Sequence, residues 1–102
     1  MRIRDRSIEM VKRYRIAGRV QGVGYRAFVL RQAHLLGVDG WVRNVDDGTV
    51  EVLVDASETH HIALENILKE GPRFAEVQLV LVVDELDQSP LPMGFTVSHE
   101  RG

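Results

Sequence analysis

Three observations in the amino-acid sequence predict an α+β domain, with two helices packed on one face of an antiparallel sheet. Strand-like segments, in which apolar and polar residues alternate, are interleaved with two segments whose apolar residues recur at helical spacing. The two middle strand segments are separated by an Asp-Gly turn signal, which makes them a hairpin and excludes a crossover between them. A length of 102 residues, with 44% hydrophobic and 27% charged, supplies one domain with its own core.

Residues 1–11 show no clear period and are expected to form an exposed arm. From Lys12 to Arg19 the period is two, with Tyr14 and Ile16 on one face and Arg13 and Arg15 on the other, so this is the first strand. Gly18, Gly22 and Gly24 punctuate a loop, after which Tyr25, Phe28, Val29, Ala33 and Leu36 trace an amphipathic helix that Gly37 stops. Trp41 and Val42 belong to a second strand, and Asp46-Asp47-Gly48 turns it into a third over Thr49–Val54. Ser57 is suited to cap a second helix of about three to four turns, on which His61, Leu64, Ile67 and Leu68 form the apolar stripe before Gly71 and Pro72 end it. Ala75–Glu85 is strongly β-prone, and Phe95-Thr96-Val97 adds a short edge strand after the Pro90-Leu91-Pro92 loop. Trp41, Tyr25 and Phe28 are expected in the core, with the mouth of the site as the alternative place for Tyr25. The order βαββαβ is the ferredoxin-like arrangement, spanning residues 12–98, with residues 99–102 as a tail.

Composition narrows the chemistry. Without cysteine there is no disulfide, thiolate metal site or thiol nucleophile. No apolar run approaches the roughly 20 residues that span a bilayer, and Met1–Arg6 lacks the apolar core of a signal peptide, so a cytoplasmic protein without a membrane partner is expected. The net charge of −2 hides an asymmetry: residues 1–26 hold eight Lys or Arg against two acids, and residues 27–102 hold five against thirteen. A basic quarter on an acidic body suits a small anionic ligand better than a nucleic acid, and the strands lack the interleaved aromatics that stack bases.

The loop Gly18–Arg26 lies between strand and helix, where free backbone N–H groups and the helix dipole favour an anion and Arg26 can offer paired donors to phosphate oxygens. Taken alone, it fits an anion cradle or a tight turn with Arg26 in solvent. Gly22-Val23-Gly24-Tyr25-Arg26-Ala27 also satisfies the G-x-G-x-x-A dinucleotide pattern, but a dinucleotide fold needs a second crossover helix where this chain has a hairpin. A P-loop is excluded because no Gly-Lys-Ser/Thr closes the loop. Asn44, taken alone, fits a turn-capping residue. His60 and His61 are adjacent and lack the i, i+4 spacing of a zinc pair, while His34 and His99 have no visible partners. Asp46 and Asp47 fit turn formation, and Asp84, Glu85 and Asp87 fit a solvated strand end.

Residues 18–26, Gly-Arg-Val-Gln-Gly-Val-Gly-Tyr-Arg, and 40–51, Gly-Trp-Val-Arg-Asn-Val-Asp-Asp-Gly-Thr-Val-Glu, resemble the two signatures of the acylphosphatase family. A third segment, Gly71–Val77, is similar as well, and the resemblance covers about residues 12–98. It implies a monomeric ferredoxin-like enzyme that hydrolyses the carboxyl–phosphate bond of small acyl phosphates without metal or cofactor. Carried over residue by residue, Arg26 binds the phosphate and Asn44 positions the attacking water. The backbone N–H groups of Gln21, Gly22, Val23, Gly24 and Tyr25 complete the phosphate cradle. The chain departs from the family at Tyr25, where many relatives have phenylalanine, and at Val54-Asp55-Ala56, where the usual pattern ends in glycine; the second departure bears on how the second helix begins. The competing reading is a binding module that keeps the cradle without turnover. A domain cut from a larger carbamoyl-phosphate-using protein is disfavoured by the end of the chain at Gly102.

Overall fold

A computed structural model describes residues 9–86 and 90–100. Its elements in chain order are β1 (Glu9–Arg19), α1 (Tyr25–Leu36), β2 (Asp39–Asn44), β3 (Val50–Ser57), α2 (Glu58–Glu70), β4 (Glu76–Leu86) and β5 (Phe95–Val97). The first strand therefore starts before Lys12. Val11 pairs with Asp55 on one side and Leu86 on the other and is fully buried, so residues 9–11 belong to the sheet and not to an arm. The rest of the expected arm, Asp87 of the expected strand end, and the last two tail residues lie outside the described residues.

The strand order is β4-β1-β3-β2-β5. β1 pairs antiparallel with β3 and β4, and β2 pairs antiparallel with β3. β5, by contrast, runs parallel to β2, Gly40 opposite Phe95, so the sheet is mixed where a wholly antiparallel one was expected. The cause is the path of the connection. The chain leaves β4 where β1 begins and crosses that end of the sheet, the Leu91 N–H bonding Asp55 Oδ2 and the Gly94 N–H bonding Asp39 Oδ1, both at 2.8 Å. It then enters β5 from the end at which β2 starts, and the two strands run the same way.

The core lies between sheet and helices. Tyr14, Ile16, Val42, Val50, Val52 and Val54 from the strands meet Val29, Ala33, Leu64 and Leu68 from the helices, each almost fully buried. An apolar side chain buried this way contributes about 1.5–3 kcal/mol. Ser57 caps α2 as expected, its Oγ accepting the His60 N–H at 3.3 Å. Trp41 is not in this core: it is half-buried on the opposite, helix-free face, with the Arg43 guanidinium 4.9 Å from its ring centre. Alternation explains the difference, because Val42 takes the inward position and its neighbours must point outward. On the same outer face the Glu51 carboxylate is buried between Arg15 and Arg43, at 3.0 and 2.7 Å. β4 is an edge strand, so Leu79, Leu81 and Val83 of its β-prone run are exposed.

Candidate active site

The connection from β1 to α1 contains two residues in the left-handed region, Gly22 at φ 75° and Gly24 at φ 78°. An L side chain is strained there, which is why glycine occupies both positions. Gly24 is the N-cap of α1 and no side chain caps the helix. The first helical bond runs from the Phe28 N–H to the Gly24 carbonyl at 3.0 Å, so the N–H groups of Tyr25, Arg26 and Ala27 have no helical acceptor. The first turn of α1 holds no acidic residue, and the positive end of its dipole stands uncompensated.

Arg26 is the second residue of α1 and half-buried. With Gly22, Gly24 and Tyr25 it lines one pocket. Among the described residues Arg13, Arg15 and Arg43 are each paired with a carboxylate; the Arg26 side chain, like those of Arg19, Arg31 and Arg73, makes no ion pair or hydrogen bond, and of these four only Arg26 lines the pocket. An uncompensated guanidinium beside free amides offers the charge and the donors that an anion requires.

Two side chains hold this loop in place. The Gln21 amide donates to the carbonyls of Val45 and Thr49, both at 2.8 Å, and so ties the loop to the β2–β3 turn. Tyr25 is fully buried, and its hydroxyl donates to the Leu68 carbonyl at 2.7 Å, fastening the start of α1 to the last turn of α2. Burial pushes the Tyr25 phenol well above its ordinary pKa, so it does not serve as an acid near neutrality. Val23 packs against the core. In the β2–β3 turn, hydrogen bonds from Thr49 hold the Asp47 carboxyl below its usual range, and Asp47 accepts from both the N–H and the hydroxyl of Thr49. Asp47 is thereby a turn former.

Asn44 is the last residue of β2 and 7% exposed. Its Oδ1 is buried without a hydrogen-bond partner, an arrangement that an interior seldom leaves unused. In the sheet, Val50 of β3 is opposite Ile16 of β1 on one side and Asn44 of β2 on the other. β1 and β2 therefore run the same way on either side of β3 and finish at the same end, about 10 Å apart at two strand spacings. The loop after β1 and the residue that closes β2 are thus neighbours by topology. Asn44 does not line the pocket that Arg26 lines.

The sequence points to the backbone of Gln21 but not to its side-chain bonds, nor to the bond made by the Tyr25 hydroxyl, nor to the place of Val97 and His99 at the pocket that Arg26 lines. The Gln21 bonds carry no local signal because their partners lie 24 and 28 residues away.

A profile of the acylphosphatase family matches residues 12–97, which include every element after the first residues of β1. The chain is 49% identical over 84 residues to an acylphosphatase of Pseudomonas aeruginosa, covering 80% of this chain and 88% of that one. This chain belongs to the acylphosphatase family. It is likewise 52% identical over 84 residues to the acylphosphatase of Pseudomonas paraeruginosa, with the same coverage of both chains. Among solved structures, the acylphosphatase from Bacillus subtilis superposes with a TM-score of 0.83 at 33% identity, over 88% of this chain and 99% of that one. The activity of an acylphosphatase is the hydrolysis of an acyl phosphate to a carboxylate and inorganic phosphate, and the ferredoxin-like βαββαβ fold of the family is the fold described above.

Proposed function

We propose that this acylphosphatase works by direct attack of water on phosphorus, without metal, with Arg26 and the loop amides of residues 21–25 binding the phosphoryl group and Asn44 orienting the water. The observation that carries this assignment is the buried, unpartnered Oδ1 of Asn44 at the sheet end where the uncapped α1 and the unpaired Arg26 also lie.

The chemistry requires little more. The leaving group is the conjugate base of an acid with pKa about 4, so it departs without a proton from a general acid. Phosphoryl transfer through a loose transition state needs positioning and charge stabilisation on the equatorial oxygens. Arg26 and the amides supply the charge stabilisation. Asn44 offers an acceptor to a water proton, and as a neutral amide it does not repel the approaching dianion as a carboxylate would. The water oxygen forms the new P–O bond, the acyl O–P bond breaks with its electron pair on the carboxylate, and a water proton passes to the phosphate product or solvent. All these groups come from one chain, so a monomer suffices.

The test is the loss of benzoyl phosphate absorbance in excess EDTA, with Arg26→Ala and Asn44→Ala beside the wild type. Each variant, folded by circular dichroism, is expected to fall by on the order of 10²–10³ in rate, the usual cost of a preorganised donor. Wild-type inactivity in EDTA overturns the metal-free step. Wild-type inactivity under all conditions, with phosphate still raising the Tm, gives the binding-module reading instead.

A further inference from the structure

The pocket beside Arg26 is larger than a phosphoryl group requires: its volume is about 380 Å³, within the range of roughly 300–1,000 Å³ usual for organic ligands. Its lining is of two kinds. Gly22, Gly24 and Arg26 belong to the anion cradle, whereas Val20, Ala27, Leu30 and Val97 offer only hydrocarbon side chains. His99 is exposed at the same pocket, and among the described residues neither lysine nor carboxylate lines it.

We propose that this hydrocarbon wall is the subsite for the acyl group, and that the enzyme selects acyl phosphates with an apolar acyl chain over those carrying a second carboxylate. The inference rests on the hydrolysis described above and adds the substrate class to it. Continuity is the first argument, because the wall and the phosphate cradle share one pocket. The second is direction. In-line displacement puts the attacking water and the departing oxygen on opposite sides of phosphorus. Asn44, which orients the water, does not line the pocket, so the leaving carboxylate is directed into it, toward Ala27, Leu30 and Val97. Among the described residues a second carboxylate placed there meets only Arg26, which the phosphoryl group already engages, and the exposed His99 at the rim; beside Ala27, Leu30 and Val97 it would lose its hydration without a partner.

The experiment measures kcat/KM for acetyl, propionyl, butyryl and pentanoyl phosphate, whose leaving groups are nearly equal in basicity, and for benzoyl against 4-carboxybenzoyl phosphate. The alkyl series is expected to rise by up to about fourfold for each methylene buried, and the carboxylated benzoyl ester to fall at least about tenfold below its parent. Ala27 is exposed on α1, so Ala27→Phe and Ala27→Leu fill the pocket without entering the core. Both should bring the pentanoyl-to-acetyl ratio toward one, Phe more than Leu. A flat series in the wild type, or an unchanged ratio in both folded variants, overturns the subsite while leaving the hydrolysis standing. A chain that hydrolyses none of these acyl phosphates overturns the hydrolysis, and the subsite with it.

Discussion

Gln21 and Val45 are joined by a 2.8 Å hydrogen bond from side-chain amide to backbone carbonyl, so the loop that precedes Arg26 and the turn that follows Asn44 form one rigid piece. The Val45 and Thr49 carbonyls each accept a second bond, from the N–H groups of Gly48 and Val45 at 3.1 and 2.9 Å. Gln21→Leu therefore leaves neither carbonyl without a donor, and the expected stability loss is only about 1–2 kcal/mol. Activity should suffer far more, because a displacement of about 1 Å in a site costs on the order of 10²-fold. Urea unfolding beside kcat/KM, with the inhibition constant of inorganic phosphate as a readout of the cradle, separates the two effects. A drop in stability with unaltered phosphate binding and turnover would refute the positioning role.

The Tyr25 hydroxyl fastens the start of α1 to α2. Tyr25→Phe removes the 2.7 Å bond to the Leu68 carbonyl in a buried setting. The expected cost is about 1 kcal/mol, or a Tm lower by about 4–8 °C for a domain of this size, measured by thermal unfolding. An unchanged Tm would mean that the Leu68 carbonyl finds another donor.

Glu51 is 2% exposed and serves two guanidinium groups, with Arg15 at 3.0 Å and Arg43 at 2.7 Å. Glu51→Ala leaves Arg43 without a carboxylate on the helix-free sheet face and leaves Arg15 only Asp47, at 3.4 Å. The expected loss is about 3 kcal/mol, the cost of removing one partner from a buried ionic pair. Replacing Arg15 with methionine should cost less, since Arg43 still neutralises the carboxylate. Chemical denaturation of both variants tests the order.

His61 gives the fold a pH dependence. Its Nε2 lies 2.9 Å from the Met10 carbonyl and therefore carries the hydrogen, while Nδ1 lies 2.8 Å from the Tyr14 hydroxyl, which donates to Glu65. Glu65 Oε2 lies 3.0 Å from that same hydroxyl. Burial, foremost, with help from Lys12, depresses the His61 pKa below its ordinary value of 6.5, against the opposing pull of the Met10 carbonyl, Glu58 and Glu65. The unfolded chain then takes up the proton at higher pH than the folded one. Stability is accordingly full above about pH 6.5 and declines as pH falls from there toward the folded pKa. Urea midpoints at pH 7.5 and 5.5 should differ less in His61→Gln than in the wild type. An equal difference would place the titration elsewhere.

Much of this was legible along the chain. Helix and strand periods, the Asp-Gly hairpin and the glycine stops are local signals, and each element formed within a few residues of its expected place. Arg26 could be singled out because a glycine loop before a helix is a local anion signature. What escaped were relations between distant segments. The parallel entry of β5 depends on which end of the sheet residues 90–94 cross, and Trp41 faces outward because Val42 holds the inward position. Val11 joins the sheet because Asp55 and Leu86 flank it, and both are far from it in sequence.

Val50 lends the site no side chain, yet it is the residue that Ile16 and Asn44 both face across the sheet. Arg26 and Asn44 precede it in the chain. The loop after β1 and the end of β2 are brought to one end of the sheet by a strand that comes later in the chain than either, residues 50–57, because β3 pairs with both.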